Sequence, residues 1–219
     1  MKKKSIKHIC FDLDGTLIDS KVTILKSTVE TLRALNIEAS LPEDKFIPMI
    51  GMHFIDIFDE FNIDVPDFNK FISIYKSLYF NFIEDSIPFP GAAEVLKHFN
   101  ERGIKTSLLT TKAQDQADKI IDHFGLRENL AYIMGRRNGV AHKPSAEPLL
   151  IICNELGIQP SETLMVGDTE LDIICGKNAG ALSCGVSYGY RTEENLKEYN
   201  PDYLINDISE LKNLLSSDE

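Results

Sequence analysis

The sequence predicts an α/β protein with a doubly wound, Rossmann-like parallel-sheet core and an inserted all-helical domain. Three observations lead to this prediction. From residue 105 onward, short apolar runs alternate with amphipathic stretches, which is typical of a parallel sheet covered by helices on both faces. A similar apolar run comes much earlier, at residues 6–14. The interval between these two regions shows only the apolar spacing of helices.

The first strand is predicted at residues 6–14, where the run IKHICFDLD ends in two aspartates. The inserted domain follows, and its apolar residues recur at the three- and four-residue spacing of a helix face. Its stripes are Val22, Leu25, Val29 and Leu32; Phe54, Ile57, Phe58 and Phe61; and Phe68, Phe71, Ile72, Tyr75, Leu78, Tyr79 and Phe82. We therefore expect residues 1–18 and 86–219 to form the sheet core and residues 19–85 to form the helical insert.

The remaining elements of the sheet core alternate along the chain. Apolar runs predict strands at 105–111, 131–135, 163–168, 182–189 and 202–207. Amphipathic stretches, several of them ended by glycine, predict helices at 113–125, 145–157, 170–180 and 209–216.

Charge and cysteine content exclude several classes of function. The formal net charge is −11, and an acidic chain repels phosphate polymers, so no nucleic-acid partner is expected. No apolar stretch approaches the roughly 20 residues of a membrane span, so no membrane partner is expected either. The basic start is followed by no signal-peptide core, which predicts a solvated tail. The four cysteines form no C-x-x-C pair, so we expect buried free thiols and a cytoplasmic location.

Polar side chains cluster where the predicted strands end. In a parallel sheet, ligands bind beyond the carboxyl ends of the strands, so side chains that follow different strands are expected to converge on one crevice. These side chains are Asp12 and Asp14 after the first strand, Thr110, Thr111 and Lys112 after the second, Lys143 after the third, and Asp168 and Asp172 after the fourth.

The four carboxylates of this crevice would repel each other unless a cation lay among them. Oxygen ligands suit Mg²⁺, which binds few carboxylates, keeps waters and accepts substrate phosphate. Through such a metal, an acidic site can receive a small phosphorylated metabolite. Asp12 and Asp14 are expected on the same side of their strand, and Gly15 lets the chain turn close to a ligand.

Four segments in this order, DLDGT, LLTTK, HKP and GDTELD, resemble the four motifs of the haloacid dehalogenase superfamily. The chain is most similar to the phosphoglycolate-phosphatase-like branch, which carries a helical cap between its first and second motifs. The resemblance covers essentially the whole chain. It implies a catalytic core at residues 1–18 and 86–219, a cap at residues 19–85, and a cytoplasmic Mg²⁺-dependent phosphatase.

The resemblance also implies catalytic roles for individual residues. Asp12 would be the nucleophile that forms an aspartyl-phosphate. Asp14 would be the general acid and base. Thr110 would hold the transferring phosphoryl group, and Lys143 would orient both that group and the nucleophile.

A metal site and a substrate site follow from the same resemblance. Asp12, the main-chain carbonyl of Asp14 and Asp168 would bind Mg²⁺ directly, and Asp172 would bind it through water. Four motif residues are expected to contact the substrate: Gly15, Thr16, Thr111 and Lys112. Position 111 is often Asn in this family, and the Thr111 found here still offers a hydroxyl.

Two residues of the insert are further candidates for substrate contact. Met52 and His53 lie between two predicted helices, where such enzymes place a specificity loop. An alternative interpretation makes Met52 a core residue and His53 a surface residue, and the sequence leaves both open.

The function implied is hydrolysis of a small phosphomonoester, such as phosphoglycolate. Two enzymatic alternatives share the motifs: an inorganic pyrophosphatase of the same branch and a phosphomutase similar to β-phosphoglucomutase. Thr16 favours hydrolysis, because the sugar mutases usually carry valine at this position. A haloacid dehalogenase is disfavoured, because Asp14 would have no proton to transfer there. A non-catalytic phospho-acceptor module, similar to a response-regulator receiver, is disfavoured by the insert, since a receiver needs no substrate lid.

Overall fold

The computed structural model of the protein describes residues 5–216, so the predicted basic tail at residues 1–4 lies outside the described residues. Its main feature is a six-stranded sheet. The strands are β1 (His8–Phe11), β4 (Lys105–Ala113), β5 (Tyr132–Arg136), β6 (Thr163–Gly167), β7 (Leu182–Val186) and β8 (Tyr203–Ile205). Their order across the sheet is β5-β4-β1-β6-β7-β8, and all neighbouring strands are parallel. The predicted fold class, a doubly wound parallel sheet, is confirmed.

The first strand occupies the centre of this sheet. Its residue His8 lies beside Lys105 of β4 on one side and Thr163 of β6 on the other. All four residues of β1 are buried, as expected for a strand covered on both faces. Because β1 is central, the residues that follow it lie in the middle of the crevice at the carboxyl edge.

Helices flank the sheet and close its core. They are α5 (Ala92–Glu101), α6 (Gln114–His123), α7 (Glu147–Leu156), α8 (Glu170–Ala179), α9 (Glu193–Glu198) and α10 (Glu210–Ser216). One core cluster joins apolar residues of α7 and α8 to the strands; its members include Cys10, Leu109, Leu149, Ile152, Met165 and Cys175. The four cysteines are buried free thiols, in agreement with the sequence. Neither α5 nor α9 was predicted from the sequence.

The chain divides into two compact units, residues 1–17 with 88–219 and residues 18–87. The second unit contains α1 (Lys21–Ala34), α2 (Glu43–Phe46), α3 (Phe54–Glu60) and α4 (Phe68–Tyr79), with short 3₁₀ turns at Ile47–Met49 and Phe80–Asp85. A two-stranded ribbon of β2 (Ile18–Asp19) and β3 (Ile87–Pro88) lies where the chain enters and leaves this unit. That the second unit serves as a cap stays a prediction.

An aromatic cluster holds α3 against α4, as the apolar stripes of these two helices indicate. Phe71 lies at its centre and is fully buried. The ring centroid of Phe71 is 5.2 Å from that of Phe54, 4.9 Å from that of Phe58 and 6.0 Å from that of Tyr75. Rings at these separations add favourable edge and offset contacts to their buried area.

The buried face of α1 differs from the predicted one. Three residues of the predicted stripe, Val22, Leu25 and Val29, are only half-buried. The buried face instead consists of Thr23, Ile24, Ser27, Thr28, Thr31 and Leu32. These hydroxyls can be buried because they have partners: the hydroxyls of Ser27, Thr28 and Thr31 donate to main-chain carbonyls one turn earlier.

Within residues 5–216, no helix combines the length and the apolar character that a bilayer span requires. This agrees with the sequence, in which charged residues interrupt every apolar stretch.

Candidate active site

A buried lysine joins two aspartates at the carboxyl edge of the sheet. Lys143 follows β5, and its Nζ lies 2.7 Å from Asp12 Oδ1 and 2.6 Å from Asp172 Oδ1. Only 3% of Lys143 is exposed, and Asp12 and Asp172 are buried as well. Asp12 comes directly after β1, and Asp172 lies in the first turn of α8. Three chain segments that are distant in sequence therefore meet in one ion-pair cluster.

Asp168 completes a group of three carboxylates. Asp12, Asp168 and Asp172 each offer one oxygen, and these oxygens lie within 4.8 Å of one another. Asp168 follows β6 and is fully buried. Its Oδ1 accepts a hydrogen bond from Thr16 Oγ1 at 3.2 Å.

Gly15 is required for this close approach. Its φ is +80°, in the left-handed region that favours glycine, and a Cβ at this position would lie 2.2 Å from Asp168 Oδ2. The DGT turn therefore passes against the Asp168 carboxylate in a way that a residue with a side chain would block.

Burial and mutual repulsion shift the ionisation of these groups. Burial, together with the negative charges of Asp172 and Asp14, raises the pKa of Asp12 to about 7, although the positive charge of Lys143 acts in the opposite direction. Burial, and then the charges of Asp12 and Asp172, raise the pKa of Asp168 well above its usual range. Burial alone would lower the pKa of Lys143, but its two aspartate partners raise it above its usual value.

These groups fit a divalent cation. Asp12, Asp14, Asp168 and Asp172 bring four carboxylates, whereas Lys112 and Lys143 bring two ammonium groups, so this cluster has two negative charges in excess. The donors are oxygens, which Mg²⁺ prefers. A bound cation would remove the repulsion that raises the pKa values of Asp12 and Asp168.

Both carboxylate oxygens of Asp172 have partners within the protein. Besides the contact with Lys143, its Oδ2 accepts hydrogen bonds from Thr169 N at 3.1 Å and from Thr169 Oγ1 at 2.7 Å. The two residues form a capping box at the start of α8. Since Asp172 Oδ1 already faces the Lys143 ammonium at 2.6 Å, this carboxylate has a cationic partner within the protein, and its water-mediated contact with a metal stays a prediction.

The second motif lies in an irregular part of β4. The pairing of β4 with β5 changes register between Leu109 and Ala113. The strand β4 extends to Ala113, past the predicted strand end at residue 111. In this stretch Thr110 is buried and its Oγ1 accepts a hydrogen bond from Lys112 N at 3.2 Å. Lys112 Nζ lies 3.2 Å from Asp14 Oδ1. Thr111 is half-buried. The structure thus joins the second motif to the first through Lys112 and Asp14.

Met52 and His53 lie in the second unit, between the turn at Ile47–Met49 and the start of α3, and both are half-buried. Gly51, directly before them, has φ +102°, so the chain turns sharply there. Their contact with a substrate stays a prediction.

Sequence reasoning missed one segment of the site, which we call the 187–191 loop (Ser187–Arg191). The predicted strand 182–189 ends at Val186 in the structure, and the loop begins there. Tyr190 N donates to Asp168 Oδ2 at 2.9 Å, and Tyr188 Oη donates to the Thr16 carbonyl at 2.9 Å. Its place at the carboxyl end of a parallel strand was the available signal.

Comparisons with known proteins identify the family of this chain. The family described as haloacid dehalogenase-like hydrolase matches residues 9–186. A Clostridium perfringens protein that bears the name PpaX is 35% identical over 212 residues, which cover 96% of this chain and 97% of that protein. Pyrophosphatase PpaX of Halalkalibacterium halodurans is 31% identical over 211 residues, with coverage of 96% and 97%.

Solved structures give the same result. A predicted phosphatase from Clostridium acetobutylicum has a TM-score of 0.85 at 25% identity, over 97% of this chain and 100% of that chain. A haloacid dehalogenase-like hydrolase from Streptococcus pneumoniae has a TM-score of 0.86 at 22% identity, over 95% and 98% of the two chains, which shows the shared fold. Since the family match spans residues 9–186 and a relative of 35% identity covers 96% of the chain, this chain belongs to the haloacid dehalogenase-like hydrolase family.

Proposed function

We propose that this protein is a Mg²⁺-dependent phosphatase that hydrolyses a small phosphomonoester through an aspartyl-phosphate on Asp12. The observation that carries the proposal is the bridge from Lys143 Nζ to Asp12 Oδ1 and Asp172 Oδ1, at 2.7 Å and 2.6 Å, with Asp168 close to both carboxylates. A carboxylate is a weak nucleophile, and it attacks phosphorus only when its position is fixed and nearby cations offset the charge of the phosphate.

The reaction would proceed in two displacements. In the first, an Asp12 oxygen bonds to phosphorus while the bond to the leaving oxygen breaks, and Asp14 gives that oxygen a proton. In the second, Asp14 takes a proton from a water molecule, whose oxygen bonds to phosphorus as the bond to Asp12 breaks. Inorganic phosphate leaves, and both aspartates return to their first state. Lys112, 3.2 Å from Asp14 Oδ1, is placed to orient Asp14 during these proton transfers.

Asp12, Asp168 and the Asp14 carbonyl would hold the Mg²⁺, with Asp172 acting through water. When bound, the metal supplies charge neutralisation for the phosphoryl group. Thr110, buried beside the first motif, would donate a hydrogen bond to the transferring group. Lys143 stays charged throughout, because its aspartate partners raise its pKa.

Pyrophosphate is a second candidate substrate. It is favoured by the name pyrophosphatase PpaX that the Halalkalibacterium halodurans relative carries at 31% identity. A phosphomonoester is compatible with the same motifs, and the structural neighbour from Clostridium acetobutylicum is described as a predicted phosphatase. Both substrates would use the same two displacements, since they differ only in the leaving group.

The second unit, residues 18–87, is proposed to act as the cap that selects among such substrates, with Met52 and His53 in contact with the leaving group. Support comes from the division of the chain: all motif residues lie outside this unit, which is helical and has an aromatic core of its own.

Phosphate release from a panel of pyrophosphate, phosphoglycolate and sugar phosphates tests the proposal. We expect release with Mg²⁺, none after chelation, and inhibition by Ca²⁺, whose longer bonds and larger ligand number loosen the in-line geometry. Full activity after exhaustive chelation would contradict the metal requirement. Transfer of phosphate to a second hydroxyl without release would identify a mutase instead, and a stable phosphorylated protein without turnover would identify a receiver-like module.

A further inference from the structure

We propose that the 187–191 loop is a positioning device for Asp168, in which Tyr188, Gly189 and Tyr190 fix the carboxylate and the adjacent Gly15–Thr16 turn in the orientation that metal binding needs. The inference rests on the proposed function, because Asp168 is a metal ligand only there. None of the four motifs includes this loop, and it follows β7, one strand beyond the last motif.

Both oxygens of the Asp168 carboxylate are held by fixed donors. Oδ2 accepts from the main-chain N–H of Tyr190 at 2.9 Å. Oδ1 accepts from the hydroxyl of Thr16 at 3.2 Å. The loop supplies the first of these donors directly. Repulsion from Asp12 and Asp172 would otherwise tend to turn the carboxylate away from them.

The loop also fixes the second donor, through the main chain of Thr16. The hydroxyl of Tyr188 donates to the Thr16 carbonyl at 2.9 Å. The Tyr188 ring packs against that of Phe89, with centroids 4.8 Å apart, and the N–H of Phe89 donates to the Leu17 carbonyl at 2.9 Å. Thr16 and Leu17 are therefore held from one side by Tyr188 and Phe89, and the Thr16 hydroxyl is aimed at Asp168.

Gly189 lets the loop lie against both partners at once. A Cβ at this position would be 2.3 Å from Asp168 Cβ and 2.5 Å from the Gly15 carbonyl oxygen. Contacts this short with a main-chain atom and with the first atom of a side chain cannot be relieved by rotating a flexible chain end. The main chain of Gly189 thus forms one wall of the space that Asp168 occupies.

Anchors at its two ends make the loop rigid enough for this role. At its start, Ser187 N donates to the Ile205 carbonyl of β8 at 3.0 Å. At its end, the Arg191 guanidinium donates to both carboxylate oxygens of Glu170, at 2.9 Å and 3.2 Å. Glu170 is the first residue of α8, the helix that also carries Asp172. Groups that orient a metal ligand in this way typically alter metal affinity when they are removed.

Titration of the metal-stripped full-length protein with Mg²⁺ in a calorimeter tests the role of Tyr188. Tyr188→Phe removes the hydroxyl and keeps the ring that packs on Phe89. We expect Mg²⁺ to bind about tenfold more weakly to this variant, as is usual when a group that orients a metal ligand is lost. The Mg²⁺ concentration for half-maximal activity should rise by the same factor, whereas the substrate KM at saturating Mg²⁺ should stay constant within about twofold. Tyr203→Phe, which removes a tyrosine hydroxyl from β8, is the matched control and should bind Mg²⁺ as the wild type does.

Gly189→Ala tests the close approach of the main chain. We expect a loss of Mg²⁺ affinity larger than that of Tyr188→Phe and on the order of a hundredfold. Its control is Gly185→Ala, in the same strand-and-loop segment, where the added Cβ would meet Leu204 Cδ1 at 2.9 Å and no group of the site. Equal losses in Gly189→Ala and Gly185→Ala would indicate general destabilisation and overturn the inference.

Three outcomes separate this inference from the proposed function. Wild-type affinity for Mg²⁺ in Tyr188→Phe would overturn the positioning role, even if Gly189→Ala failed to fold. A raised substrate KM with unchanged Mg²⁺ affinity would overturn it as well. Absence of Mg²⁺ binding by the wild type would instead overturn the metal assignment on which the inference rests.

Discussion

At the scale of single residues, Lys143 determines how the carboxylates can share one site. Its ammonium group is buried between Asp12 and Asp172, at 2.7 Å and 2.6 Å, and both partners raise its pKa. A buried lysine without such partners would lose its proton readily. Removing this one charge would leave the two aspartates facing each other without a cation, which is far more costly than removing an exposed ion pair.

Asp12→Asn removes the proposed nucleophile and keeps the size of the side chain. We expect turnover to fall by more than about a thousandfold, as when the nucleophile of a covalent mechanism is lost, because an amide oxygen does not form the phosphoryl intermediate. Steady-state phosphate release and circular dichroism would show lost activity in a folded protein. Asp115→Asn, at an exposed position in the first turn of α6, is the control and should retain activity. Turnover within tenfold of wild type in Asp12→Asn would refute the assignment of the nucleophile.

His8 makes the stability of the fold depend on pH. It is fully buried in β1, its Nε2 lies 2.7 Å from Ser107 Oγ and its Nδ1 lies 3.1 Å from Thr163 Oγ1. Burial lowers the pKa of His8 from 6.5 to about 4. As the pH falls below 6.5, His8 becomes protonated in the unfolded chain, whereas in the folded protein it stays neutral until about pH 4. The folded state should therefore lose about 1.4 kcal/mol per pH unit through this residue between these two values.

Urea unfolding of wild type and His8→Gln between pH 7.5 and about pH 4.5 measures this effect. Glutamine can keep one donor and one acceptor, but it does not titrate. Asp12 acts in the opposite direction, because its raised pKa makes the folded state take up a proton first, so the difference between the two proteins isolates His8. We expect the free energy of unfolding of His8→Gln to rise relative to that of the wild type as the pH falls. Parallel curves of this free energy against pH would contradict the prediction.

At the scale of elements, the contact between α3 and α4 depends on one ring. Phe71 is fully buried and contacts Phe54, Phe58 and Tyr75. Phe71→Ala should lower the free energy of unfolding by about 3–5 kcal/mol, since it removes buried area and leaves a cavity. Ile55→Ala on α3, where the isoleucine is 51% exposed, is the control and should change it by less than about 0.5 kcal/mol. Urea unfolding followed by circular dichroism would measure both, and equal losses would show that the cluster does not hold the two helices together.

The sequence predicted elements well where one physical signal was sufficient. The stripes of α3 and α4 consist of apolar and aromatic residues, and β1 carries the apolar residues Ile9, Cys10 and Phe11 directly before Asp12, so spacing alone located these elements. Spacing failed for α1, because the predicted stripe counted only apolar residues, whereas a helix can bury serine and threonine whose hydroxyls donate to its own carbonyls.

Tertiary context explains the part of the site that the sequence did not predict. The apolar and aromatic residues of 182–189 favour a strand, yet β7 ends at Val186, whose partner Ile205 is the last residue of β8. Beyond that point the chain turns over Asp168. Aspartates and lysines at strand ends could be grouped by topology alone. In contrast, Tyr190 contributes its main-chain N–H, so the type of side chain at this position gives no indication of its role.

At the scale of the whole molecule, we expect one unit to carry out the phosphoryl chemistry and the other to select the substrate. Every motif residue lies in residues 1–17 and 88–219, and Met52 and His53 lie in residues 18–87. His53→Ala should therefore change the ranking of substrates, and the KM of the best one, more than it changes hydrolysis of a small generic ester such as p-nitrophenyl phosphate. Lys143→Ala and Asp168→Asn should depress all substrates together, because they act on the shared phosphoryl group. A panel of kcat/KM values for the three variants measures this. If His53→Ala scales every substrate by one factor, or leaves all of them unchanged, His53 does not contact the substrate.

The central position of β1 has a consequence for the order in which the chain can fold. His8 and its neighbour Thr163 are 155 residues apart, so the first strand emerges from the ribosome long before its partner β6 exists. Pairings between such distant segments form slowly, because a long loop must close first. During refolding of the full chain, we expect the amide proton of Asp12, which bonds the Val166 carbonyl at 2.9 Å, to become protected from exchange later than the amides within α4. The proposed nucleophile would then be among the last residues to reach its place, and a partly synthesised chain would carry no assembled site.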